Sequence, residues 1–244
     1  MSDVVLDEHP LQTDMLSVVV PTYMERQSIP ELISRIESSL QPLKFEIIII
    51  DDASPDSTAE CAKDLNRKYG NIKVVKRAGK TGLGSAVING FQTARGEVLA
   101  VMDADLQHPP ELLPEMYGKI KGGYDLVIAS RYISGGKADG LSLKRRILSR
   151  GAIALAHQLL PRTGNVKDIV SGFFMLKRSV VEGFKMDPVG FKVLLEIVVK
   201  GNYGSMIEVP YTFKPRKKGK SNLSSKVMWN YLIHLCKLLK IGFR

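Results

Sequence analysis

Short apolar runs alternate with amphipathic stretches along this chain from Met15 onward. The apolar runs are rich in branched side chains, as buried parallel strands tend to be. They cover residues 16–20, 45–50, 72–75, 98–102 and 124–129. Between them, Ser28-Ile-Pro-Glu31 and Ser57-Thr-Ala-Glu60 are typical of capping boxes at helix starts. The alternation predicts an α/β domain whose sheet is mainly parallel and flanked by helices.

Polar residues follow three of the predicted strands. The segments are Pro21-Thr22-Tyr23-Met24-Glu25, Asp51-Asp52 and Asp103-Ala104-Asp105, the last with Gln107 close behind. The carboxyl ends of parallel strands meet at one edge of a sheet, where α/β proteins bind ligands. Two carboxylates at i and i+2 point to one side, and with an amide oxygen they can hold a hard cation that also binds phosphate. A plain turn before Pro109-Pro110 is the alternative for this segment.

Two further segments have a functional and a structural interpretation. Asp52 could accept from the ring N–H of a nucleobase, with guanine offering two donors and uracil one, or it could cap the following helix. Lys80 precedes two glycines and a predicted helix, whose amide end could face a phosphate, or the segment is an ordinary connection. His108 is interpreted as a surface residue and is left out of the site.

Charge and composition narrow the function classes. The 244 residues carry a net charge of +10, yet nine basic residues and no acid follow Glu208. Such a tail suits an anionic surface, whether lipid headgroups, nucleic acid or a diphosphate. Two cysteines are too few for a disulfide framework or a thiolate metal site, which favours a reduced, cytosol-facing location. Residues 1–14 resemble a flexible acidic tail rather than a signal peptide, and no apolar run is long enough to span a bilayer.

Two basic segments are candidates for binding anions. The pattern of residues 226–244 predicts a basic amphipathic helix. Such a helix can lie in a membrane interface, dock on a partner or pack on the domain. Its polar stripe contains Lys226, Asn230, His234, Lys237 and Lys240. Upstream, Arg145 belongs to a basic cluster in a second helix-like segment. Arg131 closes a predicted strand, where its fork would match phosphate oxygens bidentately.

The ordered motifs resemble the inverting family 2 glycosyltransferases of the GT-A fold. Later segments resemble the polyprenyl (dolichyl) phosphate mannose synthases, and the resemblance covers about residues 16–225. These segments are Ser130-Arg131-Tyr132, Gly135-Gly136, Ser171-Gly172-Phe173-Phe174, Gly190-Phe191-Lys192 and Val209-Pro210-Tyr211-Thr212-Phe213. The resemblance implies a single GT-A domain over residues 15–225, followed by the amphipathic helix.

The resemblance also implies a role for each matching residue. The donor-binding residues would be Pro21, Tyr23, Glu25, Ile50, Asp52, Lys80, Asp103, Ala104, Asp105, Gln107, Arg216 and Lys220. Asp105 and Gln107 would hold Mg²⁺ or Mn²⁺, and Arg131, Arg145 and Ser149 would bind the acceptor phosphate. Asp105 and Arg131 would be the catalytic pair. The chain departs from the family at Met24, where Asn is usual, and at Asn222, where Lys218 or Lys220 would replace the family lysine.

The implied reaction is mannosyl transfer from GDP-mannose to a polyprenyl or dolichyl phosphate with inversion. A UDP-glucose-dependent glucosyltransferase acting on the same lipid is the alternative. A phosphate acceptor is already anionic, so cations rather than a strong base would support the reaction. We expect a peripheral protein on the cytoplasmic side of a membrane, with small membrane subunits as possible partners. Nucleic acid is not an expected partner, because the apolar face of the terminal helix suits it poorly.

Overall fold

The structure, a computed structural model, describes residues 12–187, 192–215 and 225–242, and in the last range the side chains of residues 228–240. Seven strands and seven helices lie within these ranges. The strands are β1 (Gln12–Thr22), β2 (Phe45–Asp51), β3 (Ile72–Lys76), β4 (Gly96–Val101), β5 (Leu126–Ser130), β6 (Phe174–Lys177) and β7 (Met206–Pro210). The helices are α1 (Ile29–Leu40), α2 (Thr58–Tyr69), α3 (Leu83–Thr93), α4 (Leu113–Lys121), α5 (Leu143–Leu159), α6 (Val193–Lys200) and α7 (Ser225–Gly242). All five predicted strands are confirmed.

The strands form one sheet in the order β3-β2-β1-β4-β6-β5-β7. All neighbouring pairs are parallel except those of β6, which runs antiparallel to β4 and β5. Six carboxyl ends therefore meet at one edge of the sheet, together with the residues that lead into β6. The strand order reverses beside β1 and β4, which places a ligand crevice at their carboxyl ends.

Both faces of the sheet are covered, which explains why its strands are apolar throughout. Val19 and Ile48 face the layer of α3, α5, α6 and α7, whereas Val18 and Ile47 face the layer of α1 and α4. The helix α3 lies very close to β1, because a Cβ added at Gly90 would be 2.2 Å from Cγ1 of Val19. The predicted single α/β domain with a mainly parallel sheet is confirmed.

Three local predictions are wrong. Helices α1 and α2 follow Ser28 and Ser57, but neither serine makes the predicted capping hydrogen bond. Ser28 Oγ donates instead to the Glu25 carboxylate at 2.6 Å, so the loop before the helix satisfies it. At the N-terminus β1 already begins at Gln12, whose backbone N–H donates to the Arg95 carbonyl at 3.0 Å, so the strand starts inside the predicted tail. Residues 1–11 lie outside the described ranges.

The terminal helix α7 packs on the domain and also exposes apolar side chains. It buries Tyr231, His234, Leu235 and Leu238, and the Tyr231 hydroxyl donates to the Ala152 carbonyl of α5 at 2.6 Å. His234 is 1% exposed beside Glu196 of α6, so its assignment to the polar stripe is wrong. No described helix is both long and apolar enough to cross a bilayer.

The contact between α3 and β1 generates a stability prediction. We expect Gly90→Ala to lower the free energy of unfolding by about 1–3 kcal/mol, because the new methyl group overlaps the Val19 side chain. Gly118→Ala in α4 is the matched control, since a Cβ there meets nothing within 4 Å. That change should raise stability by up to about 1 kcal/mol through helix propensity. Urea denaturation of both variants measures the difference, and equal effects of the two changes would contradict the close packing.

Candidate active site

The acidic motif follows β4 at the edge where the strand order reverses. Asp105 is buried, and its Oδ1 accepts from the backbone N–H of Gln107 at 3.1 Å. The Gln107 side chain donates through Nε2 to the Lys214 carbonyl at 2.8 Å, which leaves its Oε1 as the atom able to bind a cation. The motif is therefore fixed to the segment that follows β7.

The residues present fit a divalent cation shared with a ligand. Among the described residues no three His, Cys, Asp or Glu side chains form a closed metal cage. Asp105 with the Gln107 amide oxygen is instead the kind of sparse set that Mg²⁺ uses when substrate phosphates complete its coordination. Ala104, between the two aspartates, is buried, so the middle of the motif is packed against the domain.

His108 is a buried structural residue, and its interpretation as a surface residue is wrong. It is 2% exposed, and its ring stacks on Phe173 at 5.2 Å and lies near Tyr211 and Phe213. Burial lowers the pKa of His108 to about 4, so the ring is neutral at physiological pH. Its Nδ1 accepts from the backbone N–H of Asp103 at 3.1 Å, which holds the acidic motif in place. The two prolines after His108 suggested an exposed turn. The sequence does not show that the loop places the His108 ring inside the domain.

Asp52, at the end of β2, is bound to the segment that leads into α3. Its Oδ1 accepts from Arg77 Nη1 at 2.8 Å and from the Thr81 amide at 3.1 Å, and its Oδ2 accepts from the Gly82 amide at 2.8 Å. The interpretation of Asp52 as a cap of the following helix α2 is wrong, because its hydrogen bonds hold the start of α3 instead. The nucleobase contact stays a prediction for a residue at the ligand edge.

The other predicted donor residues lie around the same strand ends. Pro21 and Ile50 are paired neighbours on β1 and β2, and both are buried. Lys80 lies over the Tyr23 ring with Nζ 3.5 Å from the centroid, so the cation is held at the mouth of the crevice. The Glu25 carboxylate, which accepts from Ser28, fixes the loop beneath Tyr23.

Arg131, at the end of β5, is held by a carboxylate that sequence reasoning missed. Its Nε and Nη2 each donate to Asp168 at 2.7 Å, and Asp168 is completely buried. Burial alone would lower the pKa of Arg131, but the hydrogen bonds and charge of Asp168 outweigh it, so the pKa lies above its ordinary value. Asp168 occupies the Nε–Nη2 side of the guanidinium group, so the expected bidentate phosphate contact stays a prediction for the side that carries Nη1. Nη1 is the guanidinium nitrogen not used by Asp168.

The remaining acceptor candidates lie on α5. Arg145 and Ser149 are half-buried and one helical turn apart, so they share a face of the helix. Tyr132 links this helix to the strand end, because its ring lies between the guanidinium groups of Arg131 at 5.3 Å and Arg150 at 5.8 Å. The structure thus brings Arg131 and the start of α5 to the edge that carries the acidic motif.

Some predicted residues fall outside the described part of the chain, and some functional candidates were not predicted. Arg216, Lys218, Lys220 and Asn222 lie in residues 216–224 and have no described position. Asp168 and Arg77 were missed because the sequence does not show which charged residues of different loops form ion pairs. The one feature that could have drawn attention to Asp168 is its position three residues before the Ser171-Gly172 motif.

Three non-glycine residues after the strands of the site have left-handed backbone. They are Met24 after β1, Ala53 after β2 and Leu106 after β4, with φ values of 60°, 59° and 65°. Such strain collects at functional sites. Met24 stands where the resembling family has Asn, and Asn adopts this conformation at lower cost than Met. The family asparagine is therefore explained by the backbone as well as by any polar contact.

This strain can be tested by substitution at the exposed Met24. We expect Met24→Asn to raise the free energy of unfolding by about 0.5–1 kcal/mol, since asparagine tolerates the left-handed region. Met24→Ala is the control, because alanine keeps the strain and should bring no gain. Urea denaturation of the three proteins measures the effect, and a gain of the same size in the alanine variant would refute this explanation.

Comparison with known proteins agrees with this architecture. The family model "Glycosyl transferase family 2" matches residues 17–184. A "Dolichol-phosphate mannosyltransferase" of Pyrococcus furiosus is 48% identical over 225 residues, which are 92% of this chain and 64% of that protein. The chain thus spans less than two thirds of this relative's length. Proteins of the same name from Mycosarcoma maydis and Saccharomyces cerevisiae are 36% and 34% identical, covering 95% and 93% of this chain and 81% and 88% of their own.

Solved structures support the same fold. Glucosyl-3-phosphoglycerate synthase from Mycobacterium tuberculosis, crystallised with Mn²⁺, UDP-glucose and phosphoglyceric acid, superposes with a TM-score of 0.69 at 21% identity, covering 91% of this chain and 80% of that one. Its complex with phosphoglyceric acid alone gives a TM-score of 0.68 at 19% identity, covering 95% and 89%. At this identity the likeness shows the fold alone. With its GT-A fold and the family match over residues 17–184, the chain belongs to glycosyl transferase family 2.

Proposed function

We propose that this protein transfers mannose from GDP-mannose to a dolichyl or polyprenyl phosphate, with inversion and with the help of Mg²⁺ or Mn²⁺. The observation that carries the proposal is the meeting of the Asp103–Gln107 motif and the Arg131–Asp168 pair at one sheet edge. A motif that suits a metal-bound diphosphate thus lies beside cations that suit a phosphate acceptor. Three similar proteins named for dolichol-phosphate mannosyl transfer support it.

The donor would occupy the crevice beside β1, β2 and β4. Its nucleoside would lie against Pro21 and Ile50, with Tyr23 and Lys80 at the mouth. Its diphosphate would reach Asp103 and the metal ligands Asp105 and Gln107, and Arg216 and Lys220 would contribute from the segment after β7. A bound divalent cation supplies Lewis-acid stabilisation of the leaving diphosphate. The Mn²⁺ in the structural neighbour with UDP-glucose supports a cation of this class.

The acceptor would lie at Arg131, Arg145 and Ser149. A phosphate monoester is already ionised at neutral pH, so its oxygen can attack without a general base. Arg131 would reach it through Nη1, since Asp168 holds the other side of the guanidinium group. Attack opposite the leaving group would convert an α-linked sugar nucleotide into a β-linked lipid phosphate sugar.

One contact favours a second candidate, a UDP-glucose-dependent transferase on the same lipid. A carboxylate offers about four lone-pair positions. Asp52 Oδ1 accepts from Arg77 and from the amide and hydroxyl of Thr81, and its Oδ2 accepts from the Gly82 amide. The second position on Oδ2 suits the single ring N–H of uracil as well as one donor of guanine. A two-donor contact to guanine requires that one of these bonds be released.

Transfer into an organic-extractable product tests the proposal. The purified full chain is incubated with a polyprenyl phosphate and labelled GDP-mannose or UDP-glucose, with Mg²⁺, Mn²⁺ or EDTA. We expect label from GDP-mannose alone and its loss in EDTA. Label from UDP-glucose alone would establish the second candidate, and label from neither donor in a folded sample would reject both.

Asp105→Ala is the matched variant for this assay. We expect it to lose transfer while its circular dichroism spectrum stays unchanged, because Asp105 lies in the loop after β4, outside the strands and helices. Glu115→Ala, a change of an acidic residue on α4 outside the site, is the control and should keep activity. Full activity of Asp105→Ala would remove Asp105 from the metal role.

We also propose that the protein docks on the cytoplasmic surface of an anionic membrane through α5 and α7. Among the described side chains, six of the seven exposed large hydrophobic residues lie on these two helices. They are Leu143, Ile147, Met228, Trp229, Leu232 and Ile233. Lys144 and Arg150 flank the apolar pair of α5, and the acceptor residues Arg145 and Ser149 lie on the same helix. Apolar residues beside basic ones suit a lipid interface that presents a phosphate headgroup.

The single tryptophan, Trp229, reports such docking directly. Trp229 is 65% exposed, so we expect a blue shift of its emission with vesicles that contain anionic lipid and a smaller shift with neutral vesicles. The double change Leu143→Glu, Ile147→Glu should reduce the shift, whereas Met24→Glu, an exposed apolar residue of the β1–α1 loop, should not. An unchanged shift in the α5 variant would exclude α5 from the membrane surface.

A further inference from the structure

The Gly190-Phe191-Lys192 motif has a charged residue at the active edge that none of the roles above uses. Lys192 immediately precedes α6, and Gly190 and Phe191 lie outside the described residues. Helix α6 leads to β7, which is parallel to β5, so the helix runs back across the sheet from its carboxyl edge. Lys192, which comes just before the helix, therefore lies at the edge where Arg131 and Asp103 are found.

Lys192 is attached to the loop that joins the two halves of the site. Its Nζ donates to the Val170 carbonyl at 2.7 Å. Two residues earlier in this loop, Asp168 binds the Arg131 guanidinium group. Two residues later, a Cβ placed on Gly172 would lie 3.2 Å from Oδ2 of Asp103, so the loop runs directly against the acidic motif. Lys192 is thus held between the acceptor and donor sides.

Charged groups from other segments of the chain lie near Lys192. Burial and the nearby cations Arg131 and Arg145 together lower the pKa of Lys192 to about 7, against the opposite effect of Asp168 and Asp103. Lys192 thus lies within electrostatic reach of two arginines, and one of the two nearby carboxylates, Asp168, binds Arg131. A dianionic phosphate beside these basic side chains would offset their mutual repulsion and favour the protonated amine.

We propose that Lys192 binds the acceptor phosphate as a third cationic ligand beside Arg131 and Arg145, on the side that faces the donor. The inference rests on the proposed function, because it takes a lipid phosphate as acceptor. Asp168 holds the Nε–Nη2 side of the Arg131 guanidinium group, which leaves its Nη1 side for the phosphate. The ammonium group of Lys192 would bring a further positive charge to the same phosphate from the start of α6.

Direct binding separates this inference from the transfer reaction. Calorimetry measures the affinity of the full chain for geranyl phosphate, a soluble isoprenyl phosphate, and for GDP with Mg²⁺ at pH 7. We expect Lys192→Met to weaken geranyl phosphate binding about tenfold or more, as loss of a charge-assisted hydrogen bond implies, and to leave GDP binding within about threefold. Lys167→Met, an exposed lysine before the same loop, should behave as wild type. Unchanged geranyl phosphate affinity, or equal loss of both ligands, would overturn the proposal.

Lys192→Arg and the pH profile keep the proposal testable if the methionine variant does not fold. The charged groups that face Lys192 are Arg131, Arg145, Asp103 and Asp168. Between pH 6.5 and 9 a phosphate monoester is mostly dianionic and His108 stays neutral. Wild-type affinity for geranyl phosphate should therefore fall as Lys192 loses its proton at higher pH. Lys192→Arg should bind and hold its affinity across this range, because a guanidinium group does not deprotonate. A parallel fall in both proteins would refute the assignment.

Absence of mannose transfer in unaltered protein would instead refute the proposed function and leave this binding result standing.

Discussion

The buried ion pair between Arg131 and Asp168 is the interaction on which the arrangement of the site depends. Both hydrogen bonds are 2.7 Å long, and Asp168 has no exposed surface. A buried carboxylate is costly unless a cation neutralises it, and removing one partner of such a pair costs about 3–5 kcal/mol. The backbone N–H of Asp168 also donates to Glu208 of β7 at 3.0 Å. Asp168 therefore joins the end of β5, through its carboxylate, and strand β7, through its backbone N–H, to the segment that enters β6.

The antiparallel strand β6 gives this ion pair its functional consequence. A parallel strand at that position would begin at the opposite edge of the sheet and leave only its last residues near the ligand. Because β6 runs the other way, residues 168–173 enter at the active edge, where they contact Arg131 on one side and Asp103 on the other. Gly172 permits the second contact, since any side chain there would press on the Asp103 carboxylate. The reversal of one strand thus brings donor and acceptor residues together.

The sequence predicted the parts of the structure that depend on local pattern. The five strands were visible because strands buried on both faces are apolar throughout, and the ligand edge followed from the parallel topology. It did not reveal β6, whose four residues are too short for a clear period, nor the direction in which it runs. Nor did it reveal that His108 is buried or that Arg131 is paired. Both depend on which loops meet in space, and neither periodicity nor spacing contains that information.

The electrostatic demands of the proposed reaction explain why the described part of the site presents several cations and why the reaction needs no general base. Two dianions about 5 Å apart repel by on the order of 10 kcal/mol at an effective dielectric constant of 20, so the barrier lies in bringing donor and acceptor together. A general base would not lower this repulsion between donor and acceptor. The one histidine beside the motif is neutral and accepts a backbone hydrogen bond, so it serves the shape of the loop. Arginine and lysine charges at the end of β5, on α5 and before α6 address the repulsion directly, from three different elements. Since each of these elements is anchored in the core, the basic side chains are in position before either substrate arrives.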